Sequence, residues 1–292
     1  AQGMGFETRY WIGPQDRLLL KVAKMRQTNI DSALLGAVPF HRRAFSLVWR
    51  RTLPRGLFEL SAGHDRDLAG WLHMGARWQL QLEARLSTSV DFRWGGQALD
   101  TVPLSLAGMK DRLRAGIDFQ PTPRVGVQAV LSAGRFRAQG GGSLGTYFHF
   151  ALDGNYRLWF TPPDYTLDLS LSGRQYHPST SLPTQLDQLV PAGTASTVGF
   201  FIPQSYLQIW AGGHFNTRFI QSYTGQLRPF AAMSICANSA IGSGYNFEAG
   251  VALPALGPDH LSLVLNLGNN FGASRGQMVQ LDLKYHYFFS PI

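Results

Sequence analysis

Between Trp78 and Trp94 apolar and polar side chains alternate without a break. The even positions (Trp78, Leu80, Leu82, Ala84, Leu86, Thr88, Val90, Phe92, Trp94) form an apolar row interrupted by one threonine. The odd positions (Gln79, Gln81, Glu83, Arg85, Ser87, Ser89, Asp91, Arg93) are all polar. A period of two belongs to a strand with one apolar and one polar face, and no helix reproduces it. The run exceeds the ~9–11 residues with which a strand crosses a bilayer. It therefore predicts two strands joined by a tight, parity-preserving turn near Gln81–Arg85.

The same alternation returns along the chain. Phe148, Phe150, Leu152, Tyr156 and Leu158 alternate with His149, Asp153, Asn155 and Arg157; Leu167, Leu169 and Leu171 alternate with Asp168, Ser170 and Ser172. Val279, Leu281, Leu283, Tyr285 and Tyr287 stand against Gln280, Asp282, Lys284 and His286. Fifteen strands are predicted, near 5–12, 17–26, 42–51, 57–64, 68–80, 85–94, 109–119, 125–137, 146–160, 165–176, 205–215, 227–237, 245–253, 260–269 and 277–289. Short proline-bearing connections (Gly13–Asp16, Thr52–Gly56, Gln120–Arg124, Thr161–Asp164, Pro254–Asp259) largely alternate with longer Gly/Ser/Thr-rich ones (Gln27–Phe40, Gly95–Gly108, Ala138–Gly145, His177–Pro203). Short turns at one end and long loops at the other are the habit of outer-membrane barrels.

A soluble antiparallel sandwich would alternate too. Composition argues against it: only 15% of residues are charged, where soluble domains run nearer ~25%. Aromatics gather where strands meet turns, with Trp49, Trp78, Phe119, Trp159 and Tyr165 near short turns and Trp94 near a long loop, as interfacial girdles do. No apolar stretch approaches the ~20 residues of a membrane helix. The reading is an all-β, transmembrane antiparallel up-and-down β-barrel in the bacterial outer membrane. It has 16 strands, one missed or upstream of residue 1, and residues 1–292 form a single domain.

If the apolar rows meet lipid, their polar neighbours line the interior. The expected wall comprises Glu83, Arg85, Asp91, Arg93, Arg112, Arg114, Asp118, His149, Asp153, Arg157, Asp168, Arg174, Glu248, Asp282, Lys284 and His286. Seven acids and seven bases on this wall balance, so cross-strand pairs can stiffen it, and a hydrated polymer could slide along it without a deep binding minimum. The net charge of +8 then falls mostly on turns and rims. Lys24, Arg26, His41, Arg42 and Arg43 flank the first long loop, a cluster suited to lipopolysaccharide phosphates. A stripe of bases with stacking aromatics is missing, so nucleic acid is not an expected partner.

Other motifs carry less. Gly272-Ala273-Ser274-Arg275-Gly276 fits the nucleophile-elbow pattern but sits between two strands without the helix that chemistry requires. Eight scattered histidines show no paired metal spacing. Cys236 is the only cysteine, which rules out an internal disulfide. No catalytic residue, metal or cofactor is expected.

The segments Gln226-Leu227-Arg228-Pro229-Phe230, Gly242-Ser243-Gly244-Tyr245-Asn246, Gly257-Pro258-Asp259-His260-Leu261 and Gly95–Asp111 carry a resemblance. The chain is similar to the C-terminal barrels of the PelB family of exopolysaccharide export proteins, and more distantly to the barrel of the bacterial cellulose export protein. The resemblance implies a 16-stranded barrel, periplasmic TPR repeats upstream, a lipoprotein ring as partner and a Pel-like secreted polysaccharide as cargo. The expected function is an export pore whose long loops, above all His177–Pro203, cap it until polymer arrives. The alternatives are a general diffusion porin for small solutes and a barrel-embedded hydrolase.

Overall fold

The computed structural model describes residues 2–27, 40–66, 69–161, 163–187, 190, 197–217, 226–254, 259–269 and 277–287. The first long loop, the Gly272–Gly276 tract and parts of the His177–Pro203 and Pro254–Asp259 connections lie outside these residues.

Fifteen strands form one sheet in chain order. They are β1 (Gln2–Trp11), β2 (Asp16–Gln27), β3 (Phe40–Leu53), β4 (Gly56–Arg66), β5 (Gly70–Glu83), β6 (Leu86–Gln97), β7 (Gly108–Thr122), β8 (Val125–Ala138), β9 (Ser143–Trp159), β10 (Tyr165–Pro178), β11 (Tyr206–Phe215), β12 (Arg228–Asn238), β13 (Gly242–Leu253), β14 (Asp259–Asn269) and β15 (Gln277–Tyr287). Each lies within a few residues of its predicted span. Two-residue turns at 54–55, 84–85 and 123–124 join strands at one end. At the other end the connections include 28–39, 98–107 and 179–205. The segregation is incomplete: 216–227 is long at the short-turn end, while 67–69 and 239–241 are short at the opposite one.

The hairpin inside the Trp78–Trp94 run turns within the expected Gln81–Arg85 window but does not preserve parity. Its turn is Ala84–Arg85, and the register shifts between Gln81 and Glu83, leaving Glu83 opposite Leu86. Such an irregularity moves residues to the other face of the strand. Glu83 and Arg85 thus belong to the turn end of the hairpin, not to the polar wall where sequence parity put them.

The chain divides into two compact units: residues 1–117, 130–150 and 174–205, and residues 118–129, 151–173 and 206–292. In the first, register places Phe6, Val22, Phe45, His64 and Leu72 in one row across β1–β5. Phe6 (65% exposed) and Leu72 (61%) stand open to the surroundings. Val90, Phe92, Leu113, Ile117 and Leu131 are exposed as well. In the second unit, Leu152, Leu169, Ile209, Ile235, Leu263, Leu281 and Leu283 are exposed in the same way. An apolar face this continuous is a surface meant for lipid or a partner. The closed apolar interior of a sandwich is not what these rows form.

The main core of the first unit lies on the polar face. A short helix, α1 (Val102–Ala107), follows β6; Thr101 caps it by accepting from the Leu104 N–H, with a proline in its first turn. Its Leu104, Leu106 and Ala107 bury against Phe136, Ala138, Leu144, Tyr147 and Tyr176 of β8–β10. A second connection supplies Leu186 from α2 (Thr184–Asp187) and Val198, Phe201 and Ile202. Thr101 Oγ1 donates to the Phe201 carbonyl at 2.7 Å, tying the two segments together. Sequence reading treats both as plain loops; they fold back instead, because each carries enough apolar side chain to cover the aromatic patch. Gly95 helps launch the first of them: its φ of +69° suits glycine, its carbonyl accepts from Trp71 Nε1 at 2.8 Å and its N–H donates to Asp111. The core of the second unit is smaller, with Phe230, Ala252 and Val264 together.

Candidate functional site

Beside α1 the polar face of the first unit opens into a cavity of about 170 Å³. It is lined by Asp100, Lys110, Arg112, Arg114, Val130, Ser132, Tyr147, His149 and Arg174. Alternation along β7, β8, β9 and β10 brings these side chains to one face. The structure thereby unites four of the expected wall residues: Arg112, Arg114, His149 and Arg174. Asp100, from the connection after β6, holds Lys110 Nζ at 2.8 and 2.9 Å and Arg174 Nη1 at 3.4 Å. Lys110 also stands 4.1 Å from the Tyr147 ring centroid and 5.1 Å from that of Phe136, within cation–π range. Phe136 contacts Tyr147 at 5.2 Å and Tyr176 at 6.1 Å between centroids. One wall therefore carries an aromatic patch, a row of cations and the acid that anchors a folded-back segment.

Elsewhere in this unit charges pair across strands. Arg112 Nη2 donates to Asp91 at 2.6 Å, with Arg93 at 3.6 Å on the other oxygen. Arg50 meets Glu59 at 2.7 Å and Lys21 meets Glu7 at 3.2 Å. Arg42 pairs with the buried Asp65 at 2.5 Å, and His73 lies 3.7 Å from the same carboxylate. In the second unit Asp168 meets His214 at 3.1 Å, Asp118 accepts from Gln128, and Asp282 takes Asn266, Gln280 and Lys284. Glu248 sits opposite Asn266 and Ala232 in register. Asp153 and Arg157 follow the alternation of β9 with intermediate exposure. The side chain of His286 lies outside the described residues.

The basic rim predicted from sequence separates into two faces. Lys24, Arg43 and Arg66 are register partners on the apolar face, all exposed. Arg42 points the other way and pairs with Asp65, so it leaves the rim cluster. The backbones of Arg26 and His41 pair one pleat nearer the loop; their side chains lie outside the described residues.

Sequence reasoning missed Asp100, Lys110, Tyr147 and Phe136 as site components. Phe136 and Tyr147 sit at polar-face positions, and that break in parity was the available signal. Asp100 is in a segment without periodicity. Among the described residues no group of three or more His, Cys, Asp or Glu is placed to hold a metal ion. Cys236 is buried opposite Trp210.

A family model described as "PelB, C-terminal beta barrel domain" matches residues 2–288. No curated protein matches. Among solved structures, one titled "Bacterial polysaccharide outer membrane secretin" shares 9% identity, covering 98% of this chain and 90% of its own, at a TM-score of 0.64. The outer membrane channel DcaP of Acinetobacter baumannii shares 13% over 99% and 85%, at 0.52. OpdK of Pseudomonas aeruginosa, solved with vanillate, shares 15% over 97% and 78%, at 0.51. Identities this low speak to the fold: an all-β, antiparallel up-and-down chain of the outer-membrane type.

Proposed function

From the premise that the chain belongs to the PelB C-terminal β-barrel family, we propose that it is an outer-membrane pore passing a secreted, Pel-like polysaccharide outward. The outer membrane is its compartment, and the exposed apolar rows of both units suit it to lipid. The observation that carries the reading is the pairing of those rows with a polar face rich in compensated charge. Neutralised walls bind a hydrated polymer weakly at many points, which lets it move. The solved secretin, whose title names polysaccharide, supports the same reading through its fold.

In this proposal Asp91, Arg93, Arg112, Arg114, Asp118, His149, Asp153, Arg157, Asp168, Arg174, Glu248, Asp282 and Lys284 face water. An antiparallel barrel closes on an even strand count, so the reading includes a sixteenth strand beside β1 or β15, outside the described residues. It also includes periplasmic helical repeats and a lipoprotein ring as partners, on family grounds. The segment 98–107, together with Leu186 and Val198–Ile202 of the 179–205 connection, packs on the aromatic patch and restricts the passage until cargo displaces it.

The test is electrical. Reconstituted in planar bilayers, a chain lacking 179–205 should conduct more than the parent; equal conductance sinks the restriction. Polysaccharide fragments should reduce the current of the deleted chain, and indifference to them would count against polymer passage. The second reading, a diffusion porin, draws on the fold likeness to an outer membrane channel. Swelling of liposomes in small sugars with all loops intact favours it. No chemical step belongs to either reading.

A further inference from the structure

On the polar face Glu59, Asp65, Asp91 and Asp100 each hold a cation, whereas one set of bases on the apolar face has no such partner among the described residues. Lys24 of β2 pairs in register with Arg43 of β3, and Arg43 with Arg66 of β4. All three side chains are exposed. Directly opposed like charges destabilise a sheet, yet these three adjoin, and among the described residues no ion pair forms with any of them. Three strands further along, on β7 and β8, the same face shows the compensated alternative: Asp111, buried, accepts from Arg135 at 2.6 Å and Arg137 at 2.7 Å. The protein therefore places an acid among the bases of one cluster and leaves the other open.

Position tells what fills it. The next pleat inward carries Val22, Phe45, His64 and Leu72, all exposed and, His64 apart, apolar. A pleat repeat is about 7 Å along a strand, so the cations lie just beyond the last apolar row, where acyl chains give way to headgroups. They also lie at the end that bears the 28–39 connection and α1, and outer-membrane barrels turn their long loops to the cell exterior.

We propose that Lys24, Arg43 and Arg66 form a binding site for the phosphate groups of lipopolysaccharide in the outer leaflet. This rests on the reading that the apolar face meets lipid. Arginine forks match phosphate oxygens two at a time, and a phosphate between adjacent strands offsets the repulsion that the bare sheet suffers. The site holds the barrel at a set depth and is separate from the passage.

The experiment uses the full chain in detergent, with native mass spectrometry against four probes: bis-phosphorylated lipid A, its dephosphorylated form, phosphatidylglycerol and inorganic phosphate. Wild type should retain bis-phosphorylated lipid A. The triple variant K24Q/R43Q/R66Q should lose about a hundredfold in affinity, at roughly fivefold per cation near a membrane surface. The conservative variant K24R/R43K/R66K should keep most of the binding and guards against misfolding, which heat-modifiable gel mobility also reports. Retention of the dephosphorylated lipid at wild-type affinity, or unchanged binding by the triple variant, overturns the site. Equal binding of phosphatidylglycerol or of free phosphate overturns its assignment to lipopolysaccharide. Single-channel conductance should be the same in wild type and triple variant. A chain that binds lipid A but never conducts would refute the pore and leave this site standing.

Discussion

Asp100 and Lys110 meet at 2.8 and 2.9 Å, both carboxylate oxygens on one ammonium. They bracket the segment that contains α1, so the pair closes the base of a loop folded onto the wall, and Arg174 on β10 reaches the same acid. Its removal is the mildest way to loosen that loop. A charge-assisted hydrogen bond contributes ~1.5–3 kcal/mol, and partial water access reduces this to about 1 kcal/mol. Asp100→Asn should raise the open fraction of single channels roughly fivefold, read as dwell times in planar bilayers. Unchanged dwell times would show that the apolar contacts alone hold the segment.

Those contacts rest on Phe136, which is fully buried. Truncating a buried phenylalanine costs ~3–5 kcal/mol when the surroundings cannot collapse. Phe136→Ala should lower stability by about that much in urea titrations of the vesicle-inserted protein. A change under ~1 kcal/mol would mean that the folded-back segments contribute little to the native state.

The two faces of a strand can be told apart by where a charge is tolerated. Leu131 lies on the exposed apolar face near the middle of β8; Gln128 is on the opposite face, bonded to Asp118. Leu131→Arg should cost ~2–4 kcal/mol in a bilayer. Gln128→Arg should stay within ~0.5 kcal/mol. Equal costs at the two positions would remove the distinction between lipid and water sides.

Individual cross-strand pairs should matter little by themselves. Arg50 and Glu59 are register partners with a bond of 2.7 Å, yet both are partly exposed. A double-mutant cycle with Arg50→Ala and Glu59→Ala should give a coupling of ~0.2–1 kcal/mol. A larger value would indicate that this part of the wall is drier than its exposure implies.

Much of the architecture was legible because alternation is a local property. Leu167, Leu169 and Leu171 declare their face without knowing what lies beside them, since successive side chains must point to opposite sides. Glu83 and Arg85 show where this stops: a register irregularity and a two-residue turn removed them from the wall, and neither has a parity signature. Arg42 and Arg43 look alike as one basic pair. Only pairing with β2 and β4 sends the first to Asp65 and the second into line with Lys24 and Arg66.

By itself, then, the amino-acid order determined that this chain is a succession of two-faced strands with apolar rows that need a nonaqueous neighbour. The tertiary structure alone decided that 98–107, Leu186 and Val198–Ile202 pack onto Phe136, Tyr147 and Tyr176 on the polar face, and that Asp100 ties the first of these segments beside a cationic cavity. Strand periodicity is written residue by residue. Loop packing and register are settled by contacts between residues far apart in the chain, and those contacts exist only once the sheet has assembled.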